Sequence, residues 1–179
     1  METVHLSAAT LIERLEALPP APRDAGRVVL VVSRPAVGER RTPERCALSV
    51  EGGVDGDRWA ARENPVRASQ VTVMRADVAG VIANGQPLSL FGDNLLVELD
   101  LSAENLPDRT RLRIGTALCA VTPKPHNGCA KFGARFGQHA RDVLSSERFA
   151  SWRLRGLHVE VIEPGETSPG DRIEVLRHG

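Results

Sequence analysis

The chain has 179 residues, 41% of them hydrophobic, and its 23 basic side chains balance 23 acidic ones. This length suits one domain that buries roughly 70% of its unfolded surface. The balanced charge gives no indication of a nucleic-acid partner, which would need a clustered basic surface. The longest aliphatic block, Val28 to Val32, is too short to span a bilayer, and residues 1–18 contain no apolar run of signal-peptide length. We therefore expect a cytoplasmic protein without a membrane partner.

The first 26 residues predict a helix followed by a linker. Ser7 fits an N-cap, and aliphatic side chains recur after it at helical spacing, namely Leu11, Ile12, Leu15 and Leu18. Pro19-Pro20 ends this pattern, and the three prolines before Gly26 are typical of a stiff linker. We therefore divide the chain into residues 1–26, an amphipathic helix with a proline-rich linker, and residues 27–179, the main domain.

From Arg27 onward the hydrophobic pattern changes to the period of two that is typical of strands. Alternating or β-branched runs predict six or more strands between glycine-bearing turns, within residues 28–33, 70–74, 95–100, 111–114, 117–122, 157–161 and 173–175. Such a succession indicates a barrel or a sandwich. Helical periodicity returns from Arg75 to Asn84, before Gly85, and along one face formed by Phe132, Phe136, Ala140 and Val143.

The three cysteines are an odd number without C-x-x-C spacing, which indicates reduced thiols rather than a disulfide framework or a structural zinc site. Cys119 belongs to an alternating apolar row and Cys46 to a strand-like segment, so both are predicted to be buried. Cys129 lies in a different setting, among turn-forming and charged residues.

The segment around Cys129 concentrates the reactive side chains of the chain. Within eight positions lie a histidine, a cysteine and the only two lysines, which are His126, Cys129, Lys124 and Lys131. Two prolines rigidify the approach and Asn127-Gly128 favours a tight turn, so Cys129 is expected at or near a helix N-terminus. There the helix dipole and nearby cations should favour a reactive thiolate. The alternative is a small buried thiol without a chemical role.

Two further loops carry side chains that could face a ligand. Residues 51–59 place three glycines in five positions, which lets backbone N–H groups approach a ligand, and Arg58 can form a bidentate phosphate contact. This loop matches neither a dinucleotide fingerprint nor a Walker loop, so an acidic surface turn is the alternative. Asn94 opens a strand, where it can bind a polar ligand or form a simple asparagine turn.

Taken together, these loops resemble the MOSC domain, the molybdenum cofactor sulfurase C-terminal domain. Residues 53–58 resemble its early glycine, acid and Asp-Arg motif, residues 92–95 its Gly-Glu-Asn-Leu motif, and Cys129 its single cysteine. Residues 155–157 and 170–173 resemble the closing arginine-glycine, strand and glycine-aspartate pattern. The four motifs occur in the family's order over residues 27–176.

The sequence departs from the family pattern at three places within these motifs. Asp93 stands where glutamate is commoner, and Trp59 follows Arg58 where histidine is frequent. Asn127-Gly128 precedes Cys129 where proline is often adjacent.

The resemblance implies a mainly β protein, a MOSC-type β-barrel with a few peripheral helices, and binding of the pterin form of molybdenum cofactor. Cys129 would then ligate molybdenum or carry a sulfane sulfur, with His126 as a second catalytic candidate. The candidates for binding the cofactor are Arg58, Asn94, Lys124, Lys131 and Arg135. Because Lys131 and Arg135 share a helical face roughly 200° around the helix from Cys129, we rank them below Lys124.

The resemblance leaves several functions open. The chain could act in sulfur transfer or in reduction of N-hydroxylated substrates, and a reductase would take its electrons from a partner protein. With only two lysines, no pyridoxal phosphate site is evident. A non-catalytic carrier would instead deliver the cofactor to a partner molybdoenzyme. A cysteine-dependent hydrolase using Cys129 and His126 is a further alternative, although no acidic residue obviously orients His126.

Overall fold

The computed structural model describes residues 5–177. The strands are β1 (Ala25–Val31), β2 (Cys46–Ser49), β3 (Gly53–Val54), β4 (Val71–Arg75), β5 (Leu95–Glu98), β6 (Arg111–Ile114), β7 (Ala117–Val121), β8 (Leu157–Glu163), β9 (Gly165–Thr167) and β10 (Arg172–Leu176). The α-helices are α1 (Ala8–Glu16), α2 (Ala76–Ala83), α3 (Ala130–Phe136) and α4 (Gln138–Leu144). Short 3-10 helices lie at Arg67–Ser69, Leu88–Phe91 and Glu147–Trp152. Among the residues described, no helix is both long and apolar enough to cross a membrane.

Seven strands close into a barrel in the order β1, β10, β6, β7, β8, β4 and β5. The neighbours pair antiparallel except β4 and β5, which run parallel because α2 forms the crossover between them. The other three strands form a small sheet in the order β3, β2, β9. The predicted mainly β class is therefore confirmed, and of the two predicted architectures the chain forms the barrel.

The alternating strand residues supply two hydrophobic cores, one on each side of the barrel wall. Leu95 and Val97 of β5 belong to the cluster formed by the strands, whereas Leu96 belongs to a second cluster with the helices. Leu11 and Leu15 of α1 are buried in that second cluster, where α1 packs against α2 and α4. The helices thus cover one side of the barrel. Residues 1–4 and 178–179 of the two predicted segments lie outside the described residues, and the division at residue 26 stays a prediction.

The helical face predicted after Cys129 exists, but two helices form it. Its four apolar members are all buried in the outer cluster, namely Phe132, Phe136, Ala140 and Val143. Gly137, with a φ of 94°, separates α3 from α4 because a helix cannot continue through this backbone conformation. By contrast, α2 ends as predicted, with Gly85 at a φ of 93° just past the helix.

Gly156 brings Arg155 close to the barrel wall. Its φ is 98°, and a Cβ atom at this position would lie 2.1 Å from the carbonyl oxygen of Val73. The next residue, Leu157, pairs with Val73 in the β4–β8 ladder. Only glycine therefore lets β8 join β4 directly after Arg155.

We expect Gly156→Ala to destabilise the protein by about 3 kcal/mol, because it adds a collision with backbone to the strain of a left-handed φ. Gly170→Ala is the matched control, since Gly170 has a φ of 95° and no atom lies within 4 Å of the place that a Cβ atom would occupy. This control should lose only about 1 kcal/mol. Urea denaturation measures both free energies of unfolding, and equal losses would contradict the proposed collision.

Candidate functional site

A cleft of about 370 Å³ brings together side chains from separate parts of the chain. Five residues proposed from the sequence line it, namely Arg58, His126, Cys129, Lys131 and Arg135. Three arginines that the sequence did not assign to a site also line it, namely Arg34, Arg40 and Arg155. A motif resemblance had marked Arg155, but nothing in the sequence distinguished Arg34 and Arg40 from the many other arginines.

Cys129 lies at the start of α3, as predicted. It is the N-cap residue, its side chain makes no capping hydrogen bond, and it is exposed. Cys46 and Cys119 are buried, also as predicted. Burial raises the pKa of the Cys119 thiol to about 12 and also raises the pKa of Cys46. Of the three cysteines, Cys129 is therefore the one whose sulfur can react with a molecule in the cleft.

Lys131 and Arg135 line the same cleft as Cys129, which corrects the ranking made from the sequence. The angle of roughly 200° between Cys129 and these two side chains applies only if Cys129 is part of the helix. Its backbone is instead extended, with φ −89° and ψ 174°. The angular spacing of a helix therefore does not apply to the Cys129 side chain.

Lys124 lies outside this cleft, which corrects its predicted place beside Cys129. It lines a second pocket of about 350 Å³. His126, Asn127 and Arg155 line both cavities and so separate them. The carbonyl oxygen of Lys124 lies 3.1 Å from Nδ1 of His158, which fixes the backbone on that side.

Arg34 and Asp57 form a largely buried ion pair beside the cleft. Nε of Arg34 lies 2.7 Å from Oδ2 of Asp57, and Nη2 lies 3.1 Å from Oδ1. Burial raises the pKa of Asp57, but the hydrogen bond and charge of Arg34, with donors from Trp59 and Asn94, lower it overall. Asp57 is therefore a carboxylate at neutral pH and offsets the charge of Arg34.

Asn94, predicted to bind the cofactor or a substrate, is fully buried and does not line the cleft. Its Oδ1 accepts from the amide and hydroxyl of Thr72, at 3.1 and 3.0 Å, and from Nη2 of Arg34 at 3.2 Å. Its Nδ2 donates to the carbonyl of Val32 and to Oδ2 of Asp57, at 3.1 and 3.0 Å. These hydrogen bonds occupy the carbonyl oxygen and both N–H donors of the Asn94 side chain. Asn94 therefore positions the ion pair and does not contact a ligand.

Asp93 is the acidic neighbour of His126 that the sequence did not reveal. The Asp93 carboxylate is buried, with Oδ2 at 2.7 Å from Nη1 of Arg155 and Oδ1 at 3.5 Å from Nδ1 of His126. The second distance lies within ion-pair range but is too long for a good hydrogen bond. Both atoms otherwise lack hydrogen-bond partners in the described part of the chain. Asp93 thus faces Nδ1 and favours the tautomer that carries its proton there.

Burial and neighbouring charges determine the protonation of this cluster. Burial lowers the pKa of His126 well below its usual range, and Arg155, His158 and Arg34 lower it further. Burial likewise lowers the pKa of His158, whose ring centroid lies 4.6 Å from that of His126. Burial raises the pKa of Asp93, opposed mainly by Arg155. His126 is therefore neutral at pH 7.

The charges in the cleft are only partly compensated. Arg34 pairs with Asp57 and Arg155 with Asp93. No carboxylate within residues 5–177 forms an ion pair with the four other cations, which are Arg40, Arg58, Lys131 and Arg135. Burial, followed by the charges of Arg135, Arg34 and Arg58, lowers the pKa of Arg40, as expected for cations crowded together. The cleft is therefore suited to an anion.

We expect Asn94→Asp to destabilise the protein by about 3 kcal/mol at pH 7, because an oxygen would then face the Val32 carbonyl and the Asp57 carboxylate. Asn127→Asp makes the same chemical change at an exposed residue of the cleft and should alter stability by less than about 0.5 kcal/mol. Thermal and urea denaturation measure both effects. If Asn94→Asp left the free energy of unfolding unchanged, the buried amide would not be what holds the ion pair.

We also expect His126 to make the protein less stable as the pH is lowered from 7 to 5.5, a contribution that the raised pKa of Asp93 opposes. His126 has a lowered pKa in the folded chain, so below about pH 6.5 the unfolded chain binds more protons, which costs about 1 kcal/mol by pH 5.5. His126→Gln removes this contribution and should flatten the curve, leaving the smaller share of His158. Free energies of unfolding across this range provide the measurement, and an unchanged slope in the variant would contradict the burial argument.

Both the family and the fold of this chain are found among known proteins. A family model described as the MOSC domain matches residues 66–174. A search of curated proteins gave no match.

Solved structures with a similar fold include the YuaD protein from Bacillus subtilis, with a TM-score of 0.60 and 16% identity over 89% of this chain and 100% of that one. YiiM from Escherichia coli has a TM-score of 0.54 and 20% identity over 86% and 71% of the two chains. YiiM from Geobacillus stearothermophilus has a TM-score of 0.52 and 16% identity over 89% and 77%. At these identities the likeness establishes the fold alone. Because the family model covers more than half of its length, the chain belongs to the MOSC domain family, which is linked to the binding of molybdenum cofactor.

Proposed function

We propose that the cleft binds molybdenum cofactor in its pterin form and that Cys129 either ligates molybdenum or carries a sulfane sulfur. One observation supports this proposal above the others. The exposed thiol of Cys129 shares the cleft with four cations that no carboxylate of the described residues neutralises. A soft sulfur donor beside an anion-binding surface matches a cofactor that contains both a soft metal centre and a phosphate.

The cations of the cleft fit the phosphate. Arginine presents a planar set of donors that can bind a phosphate through two hydrogen bonds, and Arg40, Arg58 and Arg135 all line the cleft. Nε of Arg40 is buried and has no hydrogen-bond partner in the described part of the chain. A bound anion would satisfy this donor, whereas an unliganded cleft leaves it unpaired. Lys131 adds a fourth charge.

Cys129, His126 and Asp93 would have different roles in a reaction at the bound cofactor. When bound, the cofactor supplies a metal centre for redox or sulfur-transfer chemistry. Cys129 supplies the sulfur ligand or the sulfur carrier at the start of α3. His126 is neutral and faces Asp93 through Nδ1, which leaves its Nε2 as a hydrogen-bond acceptor for a substrate. Asp93 acts as the positioning residue of this histidine.

We expect the cleft to work with a second protein. Reduction of an N-hydroxylated compound consumes two electrons and two protons and releases water, so an electron-donor protein must supply the electrons. In sulfur transfer, Cys129 would receive a sulfane sulfur from a donor and pass it to an acceptor. A non-catalytic carrier would hand the intact cofactor to a molybdoenzyme.

The Asp93–His126 contact favours a second candidate, a cysteine-dependent hydrolase. In such enzymes an acidic or amide group orients the histidine that activates the thiol. Hydrolysis of p-nitrophenyl acetate by metal-free protein, lost in both Cys129→Ser and His126→Gln, would establish this candidate. Activity that needs molybdenum would exclude it.

Cys129→Ser should lower the bound molybdenum or the cyanide-releasable sulfur at least about tenfold after coexpression with cofactor biosynthesis, since a hydroxyl is a poor ligand for soft metals and cannot form a persulfide. The melting temperature should not change, because the Cys129 side chain is exposed. Elemental analysis and cyanolysis of the purified protein measure the two quantities.

Cys46→Ser is the matched control, because it removes a thiol that is buried in β2, away from the cleft. It should retain both molybdenum and releasable sulfur. If Cys129→Ser kept both at the level of the unmodified chain, the cysteine role proposed above would be refuted.

A further inference from the structure

The second pocket, here called the lysine pocket because Lys124 lies in its wall, is not explained by cofactor binding. It has a volume of about 350 Å³, which lies within the usual range for small-molecule sites. His126, Asn127 and Arg155 separate it from the cleft and line both cavities. A molecule in the lysine pocket would therefore lie next to the wall behind which Cys129 is exposed.

The lysine pocket has a mixed lining in which the polar part is somewhat larger than the apolar part. Four of the side chains that line it are buried members of the two hydrophobic cores, namely Leu144, Phe149 and Leu154 from the outer cluster and Leu157 from the barrel cluster. A ligand that touches these side chains needs no hydrogen-bonding groups at the point of contact. The ligand should accordingly combine an apolar face with polar groups.

The charged groups of the pocket are mostly paired, with one exception. Arg153 donates to the carbonyl of Leu106 and lies 3.3 Å from a carboxylate oxygen of Asp108. Arg155 is paired with Asp93 through Nη1, and its buried Nε has no hydrogen-bond partner within residues 5–177. Lys124 forms no ion pair with a carboxylate of the described residues. One full positive charge, that of Lys124, is therefore available to a ligand of the pocket.

This charge differs from that of the cleft and indicates a different anion. The cleft holds four uncompensated cations, more than enough to offset the two charges of a phosphate dianion, whereas the lysine pocket holds one. A single ammonium matches a carboxylate, which carries one charge. The bond between His158 and the Lys124 carbonyl holds the backbone from which this ammonium projects.

We propose that the lysine pocket binds a small organic acid whose carboxylate contacts Lys124 and whose apolar face lies against the exposed edges of Leu144 and its neighbours. The acid binds on one side of His126 and Asn127, and Cys129 is exposed in the cleft on the other side. The lysine pocket is therefore a binding site distinct from the cleft, and a ligand there would contact the wall that both cavities share.

Titration of benzoate into the 15N-labelled full chain, followed by NMR, tests the proposal. Amide signals of residues 122–127 and 144–157 should shift in a saturable manner. Benzamide, which has the same shape without the charge, should bind at least about tenfold more weakly, because a charge-assisted contact is lost. Lys124→Gln should weaken benzoate binding by a similar factor.

Arg111→Gln removes a positive charge from the exposed side of β6, outside both cavities, and should leave benzoate binding unchanged. Equal binding of benzoate and benzamide, unchanged affinity in Lys124→Gln, shifts confined to the cleft, or no shifts up to the solubility limit would each overturn the proposal.

Measurements on Cys129→Ser separate this proposal from the cofactor proposal. Loss of molybdenum and of releasable sulfur in that variant, combined with absence of benzoate binding, would overturn the lysine pocket alone. Saturable benzoate binding in a Cys129→Ser variant that retains both would overturn the role of the cysteine and keep the pocket as a site for organic acids.

Discussion

The ion pair between Arg34 and Asp57 is the interaction on which the candidate site depends. It joins the residues after β1 to the glycine-rich loop, and Asn94 attaches both to the start of β5. Removing one partner of a buried pair typically costs about 3 to 5 kcal/mol because the other charge stays behind without compensation. The pair therefore holds three distant segments in one arrangement, and Arg34 also donates to the carbonyl of Gly92 at 3.1 Å, next to Asp93. Through these contacts the geometry of the ion pair extends to the carboxylate that faces His126.

The cations of the cleft fall into two groups with different roles. Arg34 and Arg155 are paired with buried carboxylates and fix the shape of the walls, whereas the other four remain available to an anion. Cys129 lies among this second group because its extended backbone releases it from the helix that begins at Ala130. The same wall that carries Arg155 separates the cleft from the lysine pocket. One buried cluster, formed by Asp93, His126 and Arg155, thus contributes to both cavities.

The sequence predicted the fold better than it predicted the site. Alternation on β5 separated the residues that face the barrel interior from Leu96, which is buried beneath the helices, because side chains on a strand point in turn to opposite sides. The same rule placed Cys119 in the core. The place of Cys129 followed from the local turn residues.

Lys124 could not be placed, because the direction of a loop side chain depends on distant packing, here on His158. Arg34 and Arg40 carried no local signal, and the role of Asn94 became visible only through partners 22 to 62 positions away. The small sheet of β2, β3 and β9 was also missed, because two of its strands have only two and three residues.

The charge of the whole chain determines over what distance the cleft can attract a ligand. Because 23 basic groups balance 23 acidic ones, an approaching anion experiences little net field far from the protein. Salt also screens exposed charges beyond about 8 Å at physiological ionic strength. The uncompensated cations of the cleft thus act mainly on molecules that have already reached its mouth. Capture of an anion would then be governed by ordinary diffusion and by how long the encounter lasts, with little long-range steering. A partner protein that docks at the cleft and releases its anionic cargo there would shorten that search.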